Sequence, residues 1–468
     1  MKSFLLFLFV GLFLQFVGAV PAHAQIKCDT AFEAIITLHP PSLGVPTVWD
    51  ATYDQRDMMV QLLSGVPVPG GTVMALGRTI EKKSFKPQKL VLAKLNRRGR
   101  VLAEKMYPVK EGELPIKLIS LKGGYVAVSN FRGGKGKARH FVRLSWYGKD
   151  GTYRREKILQ DDAYDYDAVG LLPTQGDDGF AVIVHSISHA LESDQHGLLF
   201  RFKADGQKIW KRAYRPGIPN RIEGVAALSG GGYLATGRIK LDDGRMAGWV
   251  LNLGDDGTVL WQRIYPRGKF SVLQQAAETA SMAGHKQHGY LVLGNSTPAD
   301  GGEDATWLMA IDALGEPEWQ RYFRRPDVAF VSFGLMRNED GRIIVAMNAR
   351  AAEGSGRRDH IRMLTLSSRG VIVEDESYIE GVQAKAYDFI RGWNGERVVT
   401  ATIESDSSPL AEDMVGDNFI IPQASSDDDD DDATASQARE QLTKGWVFVA
   451  TALDPYDDPC DIRRSHAQ

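Results

Sequence analysis

Short apolar runs recur along the chain, each closed by glycine, aspartate or asparagine, and no long stretch shows the 3.6-residue period of an amphipathic helix. One segment shows the pattern cleanly: Ile222–Leu228, Tyr233–Ile239, Gly248–Leu253 and Thr258–Tyr265 read as four strands with polar turns between them. The second of these opens Gly232-Tyr233-Leu234-Ala235-Thr236-Gly237 and has a close copy at Gly289-Tyr290-Leu291-Val292-Leu293-Gly294. Further copies start at Gly71, Gly124, Gly179, Gly341 and Gly395, giving spacings of 53, 55, 53, 57, 52 and 54 residues. A fixed period of this length signals a repeat architecture.

A second motif runs in phase with the first. Gly99, Gly151, Gly206, Gly257, Gly315 and Gly370 each sit in a polar turn, and Asp205-Gly206 and Asp256-Gly257 are strong hairpin signals. Eight residues later come Tyr107, Leu159, Tyr214, Tyr265, Phe323 or Tyr378, and three units add Trp210, Trp261 or Trp319 four residues after the glycine. Even separations on a strand share a face, so these rings read as packing between neighbouring sheets. Four-stranded units repeated radially describe an all-β fold, a seven-bladed β-propeller of four-stranded antiparallel blades. Residues 49–453 form that body, 25–48 a segment closing the last blade, and 454–468 a tail.

The Gly-Gly-Tyr-Leu strand opening and the Asp-Gly-x-x-x-Trp hairpin, here Asp205 to Trp210 and Asp256 to Trp261, resemble the PQQ-type repeats of quinoprotein-like β-propellers in exported bacterial proteins. The resemblance is at the level of the repeat and covers most of residues 50–453. It implies the fold and a binding or scaffolding role. It does not imply quinone chemistry, because Cys28 and Cys460 are not the adjacent cysteine pair of quinoprotein alcohol dehydrogenases.

Composition narrows the compartment. Lys2 is the only charge before the run Phe4 to Val20, and Ala22-His23-Ala24 is an A-x-A cleavage site, so residues 1–24 read as a signal peptide. An uncleaved anchor is the alternative. With the signal removed, no later segment is apolar enough to span a bilayer, and the protein is expected in the periplasm or secreted as a monomer. Its two cysteines, Cys28 and Cys460, lie near the two mature ends and read as one disulfide. Pro455 and Pro459 leave the last unit short of a fourth strand, which Ala31 to Leu38 is expected to supply.

Charge is unevenly spread. The formal net charge is −3, which excludes a globally basic nucleic-acid binder. Residues 404–443 read as a disordered acidic insertion in the last unit, with six consecutive aspartates from Asp427 to Asp432. Segment 131–157 is the basic counterpart, carrying Arg132, Lys135, Lys137, Arg139, Arg143, Lys149, Arg154, Arg155 and Lys157, and its strand pattern reads as a solvated blade.

Function is expected on the loops between second and third strands, which gather on one face. Arg78, Asn130, His185, Arg238, Asn295 and Asn348 stand at their starts, Arg78 and Asn348 one position out of step. They read either as a ring hydrogen-bonding an anionic or carbohydrate-like ligand or as polar strand ends. His185, His189 and His196, with Glu192 and Asp194, are the one candidate metal group, against a solvated loop. No cofactor is expected beyond a weakly held divalent cation. Phosphate-loop, zincin and nucleophile-elbow patterns are absent. The leading reading is a non-catalytic exported propeller binding an envelope protein or a polysaccharide. The alternative is a hydrolase or lyase working from the channel mouth.

Overall fold

The computed structural model describes residues 31–40, 42–43, 47–53, 58–82, 84–133, 139–174, 179–191, 193–216, 218–279, 289–298, 304–326, 328–352, 358–378, 383–392, 395–405, 442–450 and 452–453. Among them all regular structure is β. Three N-terminal strands come first: β1 (Glu33–Thr37), β2 (Ser42–Leu43) and β3 (Thr47–Tyr53). Four-strand meanders follow. They are β4–β7 (Met58–Val68, Thr72–Glu81, Pro87–Leu95, Val101–Pro108), β8–β11 (Leu114–Leu121, Gly124–Gly133, Arg139–Gly148, Tyr153–Leu159) and β12–β15 (Tyr164–Pro173, Phe180–Ser188, Gln195–Phe202, Lys208–Tyr214). Next come β16–β19 (Asn220–Ala227, Tyr233–Lys240, Met246–Leu253, Val259–Tyr265), β20–β23 (Phe270–Glu278, Tyr290–Thr297, Ala305–Ile311, Pro317–Arg324) and β24–β27 (Val328–Arg337, Ile343–Ala351, His360–Leu366, Ile372–Tyr378). The chain closes with β28–β30 (Gln383–Arg391, Arg397–Ser405, Leu442–Ala450).

Opening strands meet in a closed cycle: β4 touches β8, then β8–β12, β12–β16, β16–β20, β20–β24, β24–β28, and β28 returns to β4. They therefore surround an axis, and the fold is a β-propeller of four-stranded antiparallel blades. Hydrogen bonds join the strands into six sheets, because a lone parallel pair, Met246 with Phe270, splices β16–β19 to β20–β23.

Blades hold together through the repeated rings. Tyr214 donates its hydroxyl to the Gly257 carbonyl at 3.1 Å and Trp210 its indole N–H to Asp255 O at 3.2 Å. Tyr265 and Trp261 repeat the arrangement one blade on, against Gly315 O and Ala313 O. Gly257 has φ +76°, and a Cβ there would lie 2.9 Å from the Trp210 ring, so both the turn and the packing demand glycine. Apolar clusters fill the space between neighbouring sheets, as with Trp249, Tyr233 and Leu251 packed against Ile183 and Leu199. The described part of the basic segment serves this packing too: Trp146 donates its indole N–H to Ala204 O at 2.8 Å and Lys157 Nζ donates to Gly206 O at 2.9 Å, both on the next blade.

Closure differs from the expectation in one respect. An N-terminal strand does complete the last blade, but it is β3, antiparallel to β30, with Ala51 opposite Val447. Ala31 to Leu38 instead runs as β1, parallel to β23 on the outer edge of another blade. The reason is position: β3 leads directly into β4, which neighbours the last blade in the cycle, and Tyr53 enters the core shared by Val60, Leu62, Val447 and Val449. A domain boundary at 48/49 therefore cuts through a strand. The insertion is also shorter than 404–443, because Glu404 pairs with Thr443 and Ser405 with Leu442. Its remainder, 406–441, and both cysteines lie outside the described residues, as does the N-terminal signal-like segment.

Candidate functional site: the axial cavity

Each opening strand contains one register shift against its partner: Leu62/Ser64, Pro115/Lys117, Ala168/Gly170, Ile222/Gly224, Leu273/Gln275, Ser332/Gly334 and Ala386/Asp388. A bulge inserts one unpaired residue and re-aims its side chain. Here the inserted residues are Leu63, Ile116, Val169, Glu223, Gln274, Phe333 and Tyr387, and all of them line one cavity of about 180 Å³ on the axis. Gln61, Arg78, Arg221, Gln275 and Ser332 complete the polar part of its wall. A larger hollow of about 330 Å³ lies between β19 and β23, where Arg267 stacks 4.3 Å from the Tyr322 ring centre and pairs with Glu33.

The six polar residues singled out in the sequence occupy equivalent positions. Arg78, Asn130, His185, Arg238, Asn295 and Asn348 each pair with the residue two before a bulge: Gln61, Leu114, Asp167, Arg221, Val272 and Val331. Arg78 and Asn348 are thus in step with the others. All six lie inside second strands, which run on past these positions, and not at loop starts.

Three of them brace bulges. Asn130 Oδ1 accepts from Ala168 N at 2.7 Å while its Nδ2 donates to Ala168 O at 3.0 Å. Asn348 clasps Ala386 in the same way, at 2.8 and 2.9 Å. Asn295 accepts from Ser332 N at 3.3 Å and donates to Phe330 O at 2.5 Å. Each asparagine therefore fixes the bulge of the next blade, with both ends of its amide engaged. The clasp needs a backbone N–H, and Pro115 has none; there Arg78 takes the asparagine's place. Asn130→Leu is expected to cost about 1–3 kcal/mol, because both backbone groups of Ala168 lose their partners in a buried site. Urea denaturation of the variant checks this.

The remaining three set the electrostatics. Arg78 Nε donates to Gln61 Oε1 at 2.8 Å, and its Nη1 to Glu113 O at 3.3 Å. Burial pushes its guanidinium down to about 10, with the nearby Tyr387 opposing the shift. Glu223 is held from two sides, by Arg221 Nε at 3.2 Å and Arg238 Nε at 3.3 Å. Burial, then Arg221 and Arg238, hold the His185 imidazole well below its ordinary range, so it is neutral at pH 7.

The three histidines do not converge. His185 pairs across the sheet with Gly197 and His196 with Ser186, so the two imidazoles stand on opposite faces. His196 Nε2 accepts from Arg215 Nε at 3.1 Å, and His189 meets Asp165 at 2.8 Å. Among the described residues no group of three or more His, Cys, Asp or Glu is placed to hold a metal ion.

One titrating group went unnoticed in the sequence because the insertion masks it. Glu404 is 4% exposed, its Oε2 has no hydrogen-bond partner, and burial followed by repulsion from Asp359 raises its carboxyl to about 7. A raised folded-state value means its contribution to stability is full below the ordinary glutamate range and is lost as pH rises toward 7. Glu404→Gln is expected to flatten that decline, giving a variant more stable than wild type at pH 8. Thermal melts at pH 5 and pH 8 read this out.

Comparisons with known proteins assign the chain neither a family nor a role. No family model matches the chain, and no curated protein matches it. Solved structures similar to it include an α-L-arabinofuranosidase of Fusarium graminearum (8% identity, 68% of this chain and 95% of that one, TM-score 0.41). A neuraminidase-like protein from a flat-faced bat isolate is similar at 10% identity, covering 87% of this chain and 98% of its own, TM-score 0.39. A Bacteroides caccae protein of unknown function shows 11% identity, 69% and 94% coverage, and TM-score 0.36. Among the described residues no helix is long and apolar enough to cross a membrane.

Proposed function

We propose that the chain is an exported, non-catalytic propeller that binds a protein or polysaccharide partner through the face carrying the loops between second and third strands. A polar group of the partner enters the axial cavity. The blades number seven, one for each opening strand of the cycle, and the nine-stranded sheet divides at the Met246–Phe270 pair. Kinship with PQQ-type repeats extends to the repeat and not to quinone chemistry.

The observation that carries the binding reading is the composition of the cavity wall. Its described lining includes one carboxylate, Glu223, and both Glu223 oxygens are engaged by guanidiniums. Glycoside hydrolysis by the common acid–base route uses two carboxylates flanking the bond. Screening chromogenic glycosides and esters is expected to give no turnover, while a glycan array and capture from an envelope extract give a partner. Turnover that disappears in Glu223→Gln contradicts the reading.

Export also sets the redox state. Cleavage before Gln25 leaves Cys28 and Cys460 in an oxidising compartment, where they pair and tie the chain ends together. Thiol titration of the denatured, unreduced protein is expected to find no reactive thiol; two per chain would rule the bond out.

A further inference from the structure

The wall of the axial cavity is divided by chemistry. Leu63, Ile116 and Val169 come from three consecutive blades and make an apolar arc. Gln61 and Arg78 stand beside that arc, on the same blade as Leu63. Gln61 is fully buried. Its carboxamide orientation is fixed, because Arg78 Nε can only donate and therefore meets Oε1. Nε2 is left as a buried donor with no hydrogen-bond partner. Buried donors are almost always satisfied in native proteins, and one that lines a cavity is completed by what the cavity holds. The full charge beside Gln61 is the Arg78 guanidinium; the Glu223 carboxylate on the same wall is offset by Arg221 and Arg238, and Tyr387 stays neutral because burial raises its hydroxyl. The volume, about 180 Å³, is roughly that of six waters in the liquid.

We infer that the axial cavity binds a small organic monocarboxylate. Its carboxylate accepts from Gln61 Nε2 beside the Arg78 guanidinium, and its hydrocarbon part lies on Leu63, Ile116 and Val169. The inference rests on the reading that ligands enter by this face, and names the chemical class of group that enters. An acidic sugar or an acidic side chain of the partner presents the same carboxylate, whereas a bulky dianion finds neither the space nor the apolar arc to suit it.

The test titrates the full chain with butyrate and benzoate, and with butyramide and benzamide as uncharged matches, by calorimetry and ligand-observed NMR. Saturable one-site binding of the acids is expected, at least roughly tenfold tighter than of the amides, since hydrogen bonds to a charged acceptor are the stronger ones. Gln61→Met removes the donor and is expected to weaken the acids roughly tenfold, with the amides little changed. Val169→Trp fills the cavity and is expected to abolish binding of both, its melting curve reporting that the fold is kept. Amides binding as tightly as acids, or acids binding undiminished in Val169→Trp, overturn the inference. Partner capture that persists without any acid binding overturns it too, and leaves the partner reading intact; acid binding without a partner does the reverse.

Discussion

A chain shortened to begin at residue 54 is expected not to reach the native state, while one beginning at residue 41 still folds. The shorter chain lacks β3, so the β30 edge is left unpaired beside the first blade. It also loses Tyr53, 5% exposed and packed among Val60, Leu62, Val447 and Val449. Truncating a buried aromatic ring alone costs about 3–5 kcal/mol, a large share of the stability of a natural domain. Beginning at residue 41 removes β1, an added edge strand, and buried Leu38, for which about 2–5 kcal/mol is expected from the side chain. Solubility and cooperative urea unfolding of the two truncations separate the cases. Equal behaviour would mean that β3 is not the closing strand.

Asp388→Ala is the point substitution with the largest expected effect. Asp388 is 5% exposed on β28, at the join between the last blade and the first two. Its Oδ2 accepts from Ser64 Oγ at 2.7 Å and from Gly65 N at 3.2 Å, and its Oδ1 pairs with Lys117. Ser64 Oγ in turn accepts from Leu118 N at 3.0 Å. One carboxylate thus links the opening strands of three blades. Removing it strands a partly buried ammonium and a buried backbone donor, for which about 3–5 kcal/mol is expected. Asp388→Asn keeps the shape and loses the charge, so it should fall between wild type and alanine. A loss below 1 kcal/mol for Asp388→Ala in urea titrations would show that the three strands do not depend on this link.

The repeat was legible in the sequence because local chemistry writes it. Asp256-Gly257 demands its turn, Trp210 and Tyr214 demand a face, and the strands read at Tyr233–Ile239 and Thr258–Tyr265 lie within a residue of those observed. The bulges were not legible. One inserted residue, such as Glu223 between Ile222 and Gly224, leaves the apolar pattern nearly unchanged yet turns a different side chain to the axis. The polar ring was found as residues but not as a role. Asn130 and Asn348 look alike whether they face a ligand or a backbone, and their partners, Ala168 and Ala386, sit on the next blade. Closure failed as a local reading because Ala31–Leu38 and Thr47–Tyr53 are both strand-compatible. Which one pairs with β30 depends on where the chain must enter the ring.

The central claim is that partners engage the loop face at the axial cavity, and one comparison tests it directly. Wild type and Val169→Trp are applied to the same array of neutral and acidic glycans, after melting curves establish that both are folded. The account predicts that wild type retains a defined set of acidic glycans, that Val169→Trp loses that set, and that no retained glycan is cleaved. Identical profiles for the two proteins, or cleavage of a retained glycan by wild type, would contradict it.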